Sequence, residues 1–153
     1  MPYRHIEVKP IAGKIGAEVT GVDASRPLGE DIVAEIRRAF LEHGVIFLLG
    51  QQLTPHELLS FAARFGEPMA YPQLKGLAEC PLVTPVVKRE HERHNFGGVW
   101  HTDTSYLDEP PMASMLYALE LPPYGGDTLF ASQYAAYEAL SEGLRAALDG
   151  LIG

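Results

Sequence analysis

"GGVWHTDTSYLDEPPMASMLYALELPPYGGDTLFASQYAAYEALS", residues 97–141, decides how this chain is read. Val99 to Asp103, Ala113 to Leu119 and Thr128 to Ala131 have the short apolar and alternating patterns of strands, and Pro122-Pro123-Tyr124-Gly125-Gly126 punctuates them as a turn. The period then changes. Ser132 caps a helix through Leu140, and Ser141-Glu142 opens another that runs into Leu151.

The same mixture holds upstream. Residues 3–9 alternate (Tyr3, His5 and Glu7 against Arg4, Ile6 and Val8) and pair with a short run at 15–20 through a turn at Gly13. Gly29-Glu30-Asp31 opens a helix with Ile32, Ile36, Ala39 and Phe40 on one face, closed by Gly44. Val45 to Leu49 is a buried strand by its continuous apolar run. Thr54-Pro55-His56-Glu57 is a capping box with proline at the first helical position, and its helix carries Leu58, Phe61, Ala62 and Phe65 before Gly66. Pro68, Pro72, Pro81 and Gly76 make 68–81 an irregular connection, a strand follows at Leu82 to Val87, and "KREHERH" (88–94) reads as a solvated loop. With no repeat or low-complexity tract, residues 1–153 are expected to form a single α+β domain.

The 153 residues are 46% hydrophobic and 9% aromatic, enough for a packed core. The net charge of −8, without a Lys/Arg block, argues against a nucleic-acid partner. The lone Cys80 excludes an internal disulfide and fits a reducing, cytoplasmic setting. Neither a signal peptide nor a membrane-spanning apolar run is present, so no membrane partner is expected.

The chemistry concentrates at His101-Thr102-Asp103. Residues i and i+2 of a strand share a face and can converge on one ion. Imidazole nitrogen and carboxylate oxygen are two-thirds of the facial triad that holds non-haem Fe(II) with open positions. Spacing alone is weak evidence: six histidines among twenty acidic residues in 153 give about 0.8 such pairs by composition. His5-Ile6-Glu7 has the same spacing and reads as an exposed strand face. His91 and His94 offer a rival metal site with His101, but they lack the His-Glu-x-x-His helix of a zinc protease and read as part of a charged lid.

The surrounding segments carry more. Trp-His-x-Asp at 100–103, Pro110-Pro111, Gly-Gly-Asp-Thr at 125–128 and Ala-Ala-Tyr-Glu-Ala-Leu at 135–140 resemble the taurine dioxygenase (TauD/TfdA) family of Fe(II)- and 2-oxoglutarate-dependent dioxygenases. So do "IGAEVTGVDASRPL" (15–28) and "GVIFLLGQQLTPHELLSFAARFGEP" (44–68). The resemblance implies a double-stranded β-helix, or jelly roll, with flanking helices, incomplete in this chain. It implies hydroxylation of a small organic acid by molecular oxygen, coupled to decarboxylation of 2-oxoglutarate to succinate. By the same similarity His101 and Asp103 are the first two Fe(II) ligands, and Thr128 helps bind the far carboxylate of the cosubstrate 2-oxoglutarate. Asn95, with Gly97 and Gly98, lies where the family's loop approaches substrate. Tyr71 also falls in the substrate region, where taurine-specific members carry a sulfonate-binding histidine, a departure that argues against taurine. Trp100 and Phe130 are candidates for pocket walls or core.

The family's second iron-binding histidine and its 2-oxoglutarate-binding arginine lie far downstream, and no histidine follows His101. The chain, ending on Leu151-Ile152-Gly153, therefore looks like the N-terminal half of such an enzyme. Alone it is expected to be inactive, and to be marginal in stability or to associate as a homo-oligomer. A naturally short, non-catalytic relative acting as a binding or assembly module is the alternative, and an unrelated metal-binding domain the third reading.

Overall fold

The computed structural model describes residues 2–71 and 74–151. Pro72, part of the expected irregular connection, and the terminal Ile152 and Gly153 lie outside the described residues. The chain divides into two compact units, one of residues 1–52 with 118–153 and the other of residues 53–117.

The first unit is built on a three-stranded sheet. β1 (Glu7–Pro10) pairs antiparallel with β2 (Ala17–Thr20), and β2 pairs parallel with β3 (Ile46–Leu48). Val8 stands opposite Val19, and Val19 opposite Leu48. A parallel neighbour needs a crossover, and α1 (Glu30–His43) supplies it, packing on β2 and β3. Its buried residues are Val33, Ile36 and Ala39, with Ile32 and Phe40 half-buried beside them. The expected stripe is thus present and slightly rotated toward Val33. Ile36 and Val19 are the largest fully buried side chains, each contributing roughly 1.5–3 kcal/mol of transfer free energy. The turn between β1 and β2 closes with Ile11 N–H donating to the Gly16 carbonyl at 3.1 Å.

Glu35 on α1 ties down the N-terminal segment: its carboxylate accepts from Arg4 N–H at 2.8 Å and His5 N–H at 2.9 Å. The same unit holds α3 (Gln133–Glu138) and α4 (Glu142–Leu148), capped by the hydroxyls of Ser132 and Ser141 as the sequence predicts. Neither helix buries a residue.

In the second unit α2 (Pro55–Ala62) starts on the full capping box. Thr54 Oγ1 accepts from Glu57 N–H at 3.3 Å, and Glu57 Oε2 accepts from Thr54 N–H at 2.7 Å. Its last turn tightens, with Arg64 N–H donating to the Phe61 carbonyl and Phe65 N–H to that of Ala62. Phe61 is buried and meets Phe65 edge-to-face at 5.2 Å. Cys80 is buried, with its thiol 3.7 Å from the Pro55 carbonyl. Leu53 N–H donates to the Tyr117 hydroxyl at 3.0 Å, joining the two ends of the unit.

Four expected strands are absent. Leu82–Val87, Val99–Asp103, Ala113–Leu119 and Thr128–Ala131 form no ladder among the described residues. Alternation records which faces a segment is suited to present, but a strand exists only when a neighbour takes its N–H and C=O groups. Among the described residues these segments have no neighbouring strand, and many of their apolar side chains stand in solvent: Val99 is 77% exposed and Leu119 86%. The sheet seen here has three strands, fewer than the two packed sheets of the expected jelly roll.

Candidate metal centre

His101 and Asp103 lie in the second unit, and the structure brings them together: His101 Nε2 is 3.1 Å from Asp103 Oδ1. A bend produces this approach, not the shared strand face expected from their spacing. Thr104, next in the chain, has φ +46° and is 4% exposed. A β-branched residue in the left-handed region costs on the order of 1–2 kcal/mol, held by the packing of its buried side chain. The turn continues with Leu107 N–H donating to the Thr104 carbonyl at 3.1 Å, and with the Thr102 and Ser105 hydroxyls bonded to each other at 2.5 Å.

Each member of the pair is oriented from behind. His101 Nδ1 lies 2.7 Å from the Val99 carbonyl. A carbonyl only accepts, so Nδ1–H is the donor there, and Nε2 is the ring atom left for an ion on the Asp103 side. Metal-binding histidines are commonly oriented in this way. Gly97, at φ +67°, passes so close to the ring that a Cβ there would lie 3.1 Å from His101 Cε1. On the other side, Ser114 donates from its hydroxyl to Asp103 Oδ2 at 2.6 Å.

This donor set fits a hard-to-borderline divalent cation. Neighbouring corners of an octahedron with bonds of about 2.1 Å lie about 3.0 Å apart, close to the observed 3.1 Å. The two side chains are 47% and 44% exposed, so the approach to them is open. Among the described residues no three His, Cys, Asp or Glu side chains gather to hold an ion. The rival grouping of His91 and His94 with His101 is therefore not formed. Its loop folds on itself instead, Lys88 donating to the Glu92 and His94 carbonyls and Glu92 accepting from Arg89 N–H at 2.8 Å. His5 and Glu7 are exposed, and Glu7 faces the Thr20 hydroxyl at 3.4 Å.

Tyr71 and Asn95 fall in the same unit as the pair. Tyr71 is half-buried and edge-on to Phe96, with ring centroids 6.1 Å apart. The Asn95 carbonyl accepts from Gly98 N–H at 3.2 Å, which makes 95–98 the turn leading into the His101 bend. Trp100 is exposed. Thr128 belongs to the first unit, where it is exposed, and Phe130 beside it meets Phe47 of β3 edge-to-face at 6.3 Å. Ser114 was not foreseen. The one sign available was a hydroxyl interrupting the apolar run Met112 to Leu119.

Against known proteins, the profile of the taurine catabolism dioxygenase TauD, TfdA family matches residues 7–153. The chain belongs to the TauD/TfdA family. It is 37% identical over 147 residues to an alpha-ketoglutarate-dependent sulfate ester dioxygenase of Pseudomonas putida, covering 95% of this chain and 48% of that protein. It is 34% identical to an alkylsulfatase of Acinetobacter baylyi, covering 99% of this chain and 47% of the relative. A crystal structure of a taurine dioxygenase from Burkholderia xenovorans matches 96% of this chain and 52% of its own, with a TM-score of 0.81 at 38% identity. This TauD/TfdA-family chain thus spans about half the length of the curated relatives it matches. No helix among its described residues is long and apolar enough to cross a membrane.

Proposed function

We propose that this chain contributes the first two iron ligands of an Fe(II)- and 2-oxoglutarate-dependent dioxygenase acting on a small organic acid. The observation that carries the proposal is the 3.1 Å approach of His101 Nε2 to Asp103 Oδ1 in a member of this family. The fold is that of the family, a jelly roll with flanking helices, to which these residues contribute the N-terminal half. The third ligand and the cation that meets 2-oxoglutarate belong to the other half of a family-length polypeptide. The relatives named as alpha-ketoglutarate-dependent dioxygenases favour this reading over a non-catalytic module.

When bound, the iron and 2-oxoglutarate supply the oxidising power: one atom of O₂ enters a substrate C–H bond as hydroxyl, the other enters succinate, and CO₂ leaves. The chain's own residues do the positioning. His101 donates Nδ1–H to the Val99 carbonyl and keeps Nε2 as a ligand. Asp103 offers Oδ1 beside it as an anionic ligand that partly neutralises the ion. Thr128 gives the far carboxylate of 2-oxoglutarate a hydroxyl donor, a charge-assisted bond. Tyr71 and Asn95 contact the substrate. Tyr71, with an aromatic body and a hydroxyl tip, suits a substrate other than taurine. The lone Cys80 supports a reducing, cytoplasmic setting and the acidic charge supports small-molecule partners over nucleic acid, while the exposed apolar segments support association into a homo-oligomer for residues 1–153 by themselves.

The test is succinate release. A family-length polypeptide carrying this chain, given Fe(II), 2-oxoglutarate, oxygen and a panel of small organic acids as substrates, should release succinate and lose that activity with His101→Ala or Asp103→Ala. Residues 1–153 alone should release none above buffer. Turnover indifferent to both substitutions would overturn the ligand assignment, and robust turnover by residues 1–153 would overturn the need for a second half.

A further inference from the structure

Asp103 has two carboxylate oxygens, and the structure gives them different partners. Oδ1 faces His101 Nε2 at 3.1 Å, while Oδ2 accepts the Ser114 hydroxyl at 2.6 Å. Ser114 is eleven residues further along the chain, so this is a tie between segments. The nearby hydroxyl of Thr102 is engaged with Ser105, while that of Ser114 donates to Oδ2. An ionised carboxylate accepts such a bond at short range and with about twice the strength of a neutral one.

We propose that Ser114 is a positioning residue that fixes Asp103 as a one-oxygen metal ligand. This rests on the reading of His101 and Asp103 as ligands and adds to it how the aspartate binds. A carboxylate free to swivel can chelate an ion through both oxygens. That would occupy a coordination position which an oxygenase needs open for cosubstrate or oxygen. With Oδ2 committed to Ser114, only Oδ1 is presented toward the imidazole. The hydroxyl also restrains the carboxylate's rotation, so less freedom is lost when an ion is taken up. Partners of ligand residues commonly matter 10–100-fold for metal affinity. Ser114 is itself exposed, so removing its oxygen opens no cavity, and an effect on the metal is separable from one on folding.

Co(II) serves as the probe, because its visible absorption reports ligand number and symmetry. A family-length polypeptide carrying this chain is titrated with Co(II) as wild type, Ser114→Ala and Ser114→Thr, with urea midpoints recorded for each. Ser114→Ala should weaken Co(II) binding about tenfold and alter the visible spectrum at an unchanged urea midpoint. Ser114→Thr, which keeps the donor, should restore affinity and spectrum. Wild-type affinity and spectrum in Ser114→Ala would overturn the proposal while leaving the ligand assignment standing. Co(II) binding that is absent from the wild type, or indifferent to His101→Ala and Asp103→Ala, would overturn the ligand assignment and this inference with it.

Discussion

Gly97→Ala separates the strain of a backbone from the crowding of a ligand. Gly97 sits at φ +67°, and a methyl there would lie 3.1 Å from His101 Cε1. The left-handed conformation costs an alanine about 1–2 kcal/mol. With a urea dependence of roughly 2 kcal/mol per molar, that lowers the unfolding midpoint by about 0.5–1 M. The contact adds a second effect. Carbon atoms prefer about 3.5 Å or more, so the imidazole must retreat by about 0.4 Å, loosening its 2.7 Å bond to the Val99 carbonyl or its 3.1 Å approach to Asp103. Gly125→Ala is the control, because Gly125 has φ +72° and nothing within 4 Å of the added methyl. Both variants should lose similar stability in urea, and only Gly97→Ala should also weaken Co(II) binding by a family-length polypeptide carrying this chain, by about tenfold. Equal Co(II) affinities for the two variants would refute the claim that Gly97 makes room for the His101 ring.

Two further outcomes are expected. Thr54→Ala removes the hydroxyl that accepts from Glu57 N–H and should cost about 1 kcal/mol in urea unfolding, whereas Thr54→Ser should cost little. Burial pushes the Glu35 carboxyl up, but the backbone N–H groups of His5, Arg4 and Ile6 outweigh it and hold its pKa below the ordinary 4.5. A lowered folded value means that this tie contributes above about pH 4.5 and is lost as pH falls through the folded pKa. Protection of the Arg4 and His5 amides, measured against their intrinsic exchange rate at each pH, should therefore fall across that acid range in the wild type and be low at every pH in Glu35→Ala.

What could be read from sequence follows the range of each interaction. The Thr54 to Glu57 box closes within four residues, and both of its bonds are present where the pattern predicts them. The α1 stripe repeats every turn, so the face expected from Ile32, Ile36, Ala39 and Phe40 is found nearly in place, with Ile36 and Ala39 buried and Val33 taking the position expected of Ile32, whereas the parallel pairing of β3 with β2 is not evident from either segment's own pattern. The segments at 82–87, 99–103, 113–119 and 128–131 have the side-chain pattern of strands, but pairing is a property of two segments, and one pattern cannot name its partner. Ser114 escaped for the same reason. Its hydroxyl matters only because a turn carries Asp103 back to it.

That turn explains why the ligand pair survives the loss of its expected strand. A strand at 99–103 would have aligned His101 and Asp103 through ladder bonds to neighbours, and among the described residues it has no ladder. Instead the ring is held by a carbonyl two residues away and by the bare backbone of Gly97, while Thr104 bends the chain immediately after the carboxylate. These contacts lie within residues 97–104, and Ser114 reaches in from further along the chain. Local contacts cost little loop-closure entropy, so the pair can be prebuilt before distant segments arrive. On the proposed reading, a centre completed by a group from another segment gains from such an arrangement, because His101 Nε2 and Asp103 Oδ1 are already 3.1 Å apart.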